Sequence, residues 1–176
     1  KTETKIVQEF LLSSVGPRPI ALASTIDIKN IPNLSPFSFF NVFSGNPPIL
    51  IFSPARRIRN NTEKDTLRNL NQVKEVVINV VSEDMTKKMV KSSLDYDSDI
   101  DEFRESGLTH LQSELIKPFR VKESPVQMEC KVNKIISLGN SGGSGNLIIC
   151  EILLIHICEK ILDEKNRIDQ KKINLI

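Results

Sequence analysis

Tryptophan is absent from the 176 residues, tyrosine occurs once, and neither sign of charge is in excess, since 24 basic side chains face 22 acidic ones for a formal net charge of +2. A protein held on nucleic acid or an anionic membrane by bulk electrostatics carries a larger basic surplus, and nucleic-acid binders present more aromatic platforms. The composition argues against both partners. No uninterrupted apolar segment is long enough for a bilayer, and the opening residues lack the form of a signal peptide. Cysteine is scarce and odd in number. Cys130, Cys150 and Cys158 lack a Cys-x-x-Cys spacing and sit in apolar or alternating runs, so buried free thiols in a reducing, cytoplasmic compartment are expected.

What is present suits one globular domain over residues 1–176, with 39% apolar and 26% charged residues. Ile6, Val7, Phe10 and Leu11 predict a helix over Thr4 to Ser14, ended by Gly16-Pro17-Arg18-Pro19. Ile20 to Ile26 reads as a strand. A turn at Asp27 to Asn30 leads into a second extended segment through Phe40, and Ile49 to Phe52 is a short apolar strand. Thr62-Glu63-Lys64-Asp65 resembles a helix start capped by Thr62, with Leu67, Leu70 and Val73 facing inward. Glu75 to Val81 returns to strand. Short helices are expected over Glu83 to Lys91 and over Asp99 to Glu105, the latter capped by Ser98 and stopped by Gly107. Gln127 to Asn133 alternates as a strand with one wet face, and Leu147 to Cys158 is a further strand. Strands near both ends with helices between them predict a mainly β barrel with helical insertions, not alternating βαβ units.

Several clusters invite chemistry. The glycine-rich stretch Gly139 to Gly145 precedes an apolar strand where a phosphate loop needs a helix, so it reads as a hairpin turn. The acidic run Asp95 to Asp101 fails the calcium-loop pattern at Ile100 and Ser106 and reads as a solvated loop. His110 and His156 have no second ligand at metal spacing, and His156, in an apolar strand, is read as a hydrogen-bonded core or interface histidine. Cys158 and His156 would share a strand face as a nucleophile pair, but no base-orienting third group is visible. Arg56, Arg57 and Arg59, followed by Lys64 and Thr66, are equally a solvated loop or an anion site, since arginine forks, a lysine and free helix amides all suit a phosphate.

An ordered set of segments then resembles one family. They are Gly16 to Thr25, Asn33 to Asn41 followed by Pro47-Pro48 and Ile49 to Phe52, Lys64 to Asn69, Glu75 to Asn79, Asp101-Glu102-Phe103, Ser106 to Thr109 and Glu123 to Cys130. Together they are similar to the flavin reductase-like family of FMN-binding split barrels. The resemblance implies a Greek-key barrel of roughly six strands that forms a homodimer with FMN near the subunit interface. It places Ser24 and Thr25 beside the flavin ring, in the segment that also holds Arg18. Pro36, Phe37, Ser38 and Asn41 would contact the ring and ribityl chain. Lys64, Asp65 and Thr66 would hold the phosphate, helped by Ser53 and Arg56. It further implies a flavoprotein oxidoreductase in which NADH or NADPH passes hydride to flavin, and on to free flavin or a partner oxygenase. No catalytic side chain and no metal is assigned. Two other readings are an FMN-binding electron carrier or flavin store without turnover, and a flavin-free interaction module. Related chains continue past the segment matching Arg167 to Ile176 into an arginine- and glycine-containing tail, which is expected to be missing here.

Overall fold

A computed structural model describes residues 3–176. Seven strands form one antiparallel sheet: β1 (Ala21–Ile26), β2 (Pro32–Phe37), β3 (Phe40–Gly45), β4 (Pro48–Phe52), β5 (Glu75–Val80), β8 (Val126–Ser137) and β9 (Asn146–Ile157). Their order is β2-β1-β5-β8-β9-β4-β3, while β6 (His110–Leu111) and β7 (Arg120–Val121) make a separate two-stranded ribbon. The helices are α1 (Thr4–Ser14), α2 (Asp65–Gln72), α3 (Thr86–Ser92), α4 (Glu102–Ser106) and α5 (Gln170–Ile173). No helix among the described residues is long and apolar enough to cross a membrane.

The sheet wraps one core. Ala21 and Ala23 of β1 point into it with Val76 and Ile78 of β5, Cys130 of β8 and Ile148 of β9, and α2 closes it with Leu67 and Leu70. Alanine on β1 leaves room for large neighbours, and Phe37 meets Phe52 there with ring centroids 5.6 Å apart. The intervening β1 residue, Leu22, faces the opposite way into a second cluster with Met85, Met89 and Phe103. Strand β1 is therefore buried on both faces, which explains its lack of polar alternation.

Several sequence expectations need correction. The extended segment ending at Phe40 is two strands, and β2 and β3 lie at opposite edges of the sheet, with Ser38 and Phe39 making the crossing. Thr62 does not cap α2. Its hydroxyl is taken by Asn60 Oδ1 at 2.8 Å, and Lys64 occupies the N-cap position. The cap of α4 is Asp101, which accepts from Phe103 N at 3.0 Å, while Ser98 accepts from Arg68; Gly107 ends that helix at φ 73°, where a side chain would be strained. Gln127 and Glu129 do not face water, because the 112–121 segment covers that side of β8. Cys158 is exposed, unlike Cys130 and Cys150, since it lies just beyond β9. Asp95 is tied to Arg57 and Arg59 instead of being freely solvated.

The glycine stretch is the turn between β8 and β9, as expected. A Cβ at Gly145 would meet Ser53 Oγ at 2.7 Å, and one at Gly142 would meet the Ile58 carbonyl oxygen at 2.9 Å. Glycine lets this turn pack directly beneath the segment that follows β4.

Phe52 is fully buried and joins both sheet edges to the core. Phe52→Ala is expected to cost about 3–5 kcal/mol of unfolding free energy, read by chemical denaturation. A loss below about 1 kcal/mol would show that this core collapses freely around the cavity.

Candidate functional site

A pocket of roughly 540 Å³ opens where β2 turns into β3 and where the chain leaves β4, within the range of small-molecule sites. Pro36, Phe37, Ser38 and Phe39 form one wall, Ser53 and residues 55–59 a second, and Gln8 and Leu12 of α1 a third. Lys64 also lines the pocket. No residue of α1 is buried, so the contact of Gln8 and Leu12 with this pocket is a main feature of its placement. Arg18 holds that helix in position, donating from Nη1 to the carbonyl oxygens of Leu12, at 2.6 Å, and of Val15.

The cations around the pocket are unequal. Arg56 donates through Nε to Asn61 Oδ1 at 2.8 Å, through Nη2 to Asn61 O at 2.6 Å and through Nη1 to Glu63 at 3.0 Å. Arg57 donates to Glu63 O at 2.5 Å and pairs with Asp65 and Asp95, each at 3.3 Å. Arg59 is paired with Asp95. These arginines hold the 56–65 loop together. Lys64 forms no ion pair or side-chain hydrogen bond among the described residues. Its ammonium lies 5.3 Å from the centroid of the Phe37 ring. Burial first, and Arg57 second, push its pKa below the ordinary lysine value. An ammonium without an ion pair, partly buried at the N-cap of a helix whose first amides have no intrahelical acceptor, has the chemistry that suits an anion.

The structure gathers Pro36, Phe37, Ser38, Ser53, Arg56 and Lys64 at this pocket. Asp65 and Thr66 line an adjoining small polar cavity that shares Lys64 and Arg57. Thr66 points inward, donating to Asn33 Oδ1 at 2.9 Å, and Asp65 is paired with Arg57 and Arg68. The other sequence-selected residues lie elsewhere. Ser24 is fully buried with an unpartnered hydroxyl. Thr25 donates to Asn33 at 3.3 Å inside the fold. Asn41 sits exposed on edge strand β3, its Oδ1 accepting from Val42 N at 2.8 Å.

Gln8, Leu12, Phe39 and Asp95 line the pocket without having been singled out. Phe39 lay within a segment already selected. Asp95 was visible only as one acid in a run, and nothing local to α1 shows where it docks. Among the described residues, no cluster of three or more His, Cys, Asp or Glu side chains could hold a metal ion.

The flavin reductase-like domain model matches residues 13–170. An uncharacterized protein of Aquifex aeolicus is 37% identical over 172 residues, covering 98% of this chain and 85% of that protein. Among solved structures, nitrilotriacetate monooxygenase component B from Bacillus cereus superposes with a TM-score of 0.91 at 26% identity, covering 98% of this chain and 85% of that one. A flavin reductase-type protein with a split barrel domain from Shewanella frigidimarina gives a TM-score of 0.83 at 26% identity, covering 99% and 84%. The wrapped sheet is thus a split barrel, and the chain belongs to the flavin reductase-like domain family, with the flavin-related oxidoreductase function that membership carries.

Proposed function

We propose that this protein binds FMN and acts as an NAD(P)H-dependent flavin reductase. The observation that carries the reading is Lys64, a cation without an ion pair or side-chain hydrogen bond among the described residues, in a pocket whose three arginines are all paired. The donor set fits FMN. Lys64 and the start of α2 suit a phosphate, Ser38 and Ser53 suit a polyol, and Pro36, Phe37 and Phe39 offer apolar surface to a flat ring. When bound, FMN supplies hydride acceptance and onward electron transfer. The protein's own part is to neutralise the phosphate through Lys64, to orient the ring against Phe37 and Phe39, and to exclude water with Leu12 and Ile58. No general acid or base is assigned. NADH or NADPH is the proposed hydride source. Likeness to a monooxygenase component supports free flavin or a partner oxygenase as the acceptor.

A second copy of the chain completes the proposed site. Edge strand β3 continues from Phe39 of the pocket wall and exposes Val42 and Phe43, at 55% and 64%. An exposed apolar sheet edge of this kind is covered in stable proteins. Sedimentation should show a homodimer. A monomer with flavin bound would overturn that part of the proposal.

The purified protein should show a flavin spectrum near one FMN per chain, bleached anaerobically by NADH or NADPH. Bound flavin that neither nucleotide reduces would remove the reductase reading and leave an electron carrier or flavin store. Failure to take up FMN would remove both.

Lys64→Met should weaken FMN binding about 10- to 100-fold, the equivalent of one lost charge-assisted contact. The same change should stabilise the ligand-free protein at neutral pH. The folded state lowers the Lys64 pKa, so the charged form is disfavoured on folding. That penalty is full below the folded pKa and disappears as pH rises past the unfolded value. The stability gain should therefore be present at pH 7 and gone by about pH 11. Unchanged FMN affinity would place the phosphate elsewhere.

A further inference from the structure

A second cleft, of roughly 630 Å³, lies where β7 and the start of β8 meet the end of β9 and α5. It shares no lining residue with the pocket around Lys64. Behind its wall is a fully buried carboxylate. Glu129 accepts from the amides of Glu114 at 2.8 Å and Leu115 at 2.7 Å and from His156 Nε2 at 2.8 Å, with Arg120 Nε 3.8 Å away. Burial acts against its ionisation, but the two amides and His156 outweigh it and hold the carboxyl below its usual range. Buried ion clusters add little stability compared with an apolar core. This one fixes two cleft-lining groups. His156 is locked through Nε2, the orienting contact that the sequence did not reveal. Arg120 is locked through Gln127 at 3.0 Å and through the Gln112 carbonyl at 3.1 and 2.9 Å.

Four cations, Arg120, Lys122, Lys160 and Lys172, line the cleft against two carboxylates, Asp84 and Glu123, so its lining carries a positive excess. Glu123 is engaged by the amide and hydroxyl of Thr109, at 3.0 and 2.9 Å, and by Lys88 at 3.6 Å, while Asp84 accepts from Ser82 at 2.5 Å. Lys172 donates to the Leu162 carbonyl at 2.6 Å. Lys122 and Lys160 line the cleft with no ion pair or side-chain hydrogen bond among the described residues. Pro125, Ile161 and Ile173 supply apolar surface beside them.

We propose that this cleft binds a small organic anion, a carboxylate or phosphate carried on an apolar body. Lys122 and Lys160 supply the uncompensated positive charge, Arg120 an oriented guanidinium beside them, and Ile161 and Ile173 the apolar contact. Fixed donors recognise an anion at low entropic cost, and mobile lysines add field at the mouth.

The test is NMR titration of the full chain, saturated with FMN and again without it, using benzoate, phenyl phosphate and inorganic phosphate. The His156 ring and the Ile173 methyl groups are the reporters. Saturable shifts with benzoate or phenyl phosphate are expected, the same with and without FMN, and tighter than with inorganic phosphate. The exposed pair Lys122→Ala and Lys160→Ala together should weaken binding about tenfold without altering the amide spectrum of the core. Response to one aromatic probe alone assigns the head group as carboxylate or phosphate. No saturable shift with either aromatic probe, equal affinity for inorganic phosphate, or shifts unaffected by the double substitution would overturn the proposal.

Discussion

Asn33 ties the first turn of α2 to the sheet, and the placement of the pocket around Lys64 depends on that tie. Its side-chain oxygen accepts from Thr66 at 2.9 Å and Thr25 at 3.3 Å, while its amide donates to Glu102 at 2.6 Å. Asn69 joins the same network through Thr25 at 3.2 Å. Strands β1 and β2 and helices α2 and α4 therefore meet at one buried polar junction. An apolar substitute could fill the volume but could not fix the rotation of α2 about its axis, because apolar contact is not directional. With that rotation set, Thr66 turns inward and Lys64 at the N-cap projects toward the Phe37 ring.

The economy of cations around the pocket follows from the same junction. A loop bearing three arginines would repel itself and any neighbouring lysine unless acids were threaded through it. Glu63, Asp65 and Asp95 perform that task, and Asp95 reaches Arg57 from a distant part of the chain. Pairing consumes the arginine forks and leaves the amine. The residue with the most adaptable head group and the least hydrogen bonding is thus the one available to a ligand, which is the electrostatic arrangement a phosphate site needs.

Much of this was legible in the chain. The β1 strand, α2 with Leu67 and Leu70, the β8–β9 hairpin and the basic loop were all visible as local patterns. The β2–β3 crossing was not, because Pro36 to Phe40 is apolar or small throughout and nothing local shows a chain passing from one sheet edge to the other. Strands β6 and β7, at two residues each, are too short for alternation to register. Within the site, Lys64, Asp65 and Thr66 looked equivalent as donors or partners. What separates them is long-range. Thr66 finds Asn33 from 33 positions away, Asp65 finds Arg57, and Lys64 finds no acid. Local pattern shows which segments converge, but the side chain left unpaired is a property of the folded whole.

Two glutamates, Glu102 half-buried and Glu129 fully buried, make the same point from the opposite direction. Glu102 accepts from one backbone amide and Glu129 from two, yet their acidities move oppositely. At Glu102 burial dominates, its two partners being the Leu34 amide and the neutral Asn33 side chain, and its pKa rises. At Glu129 two amides and His156 prevail over burial, and its pKa falls. The first needs only to bridge α4 to β2, which either protonation state can do through its oxygens. The second keeps its charge, and a buried charge is worth keeping where it orients donor side chains toward an accessible surface. His156 and Arg120 are those side chains, and the cleft beside them is that surface.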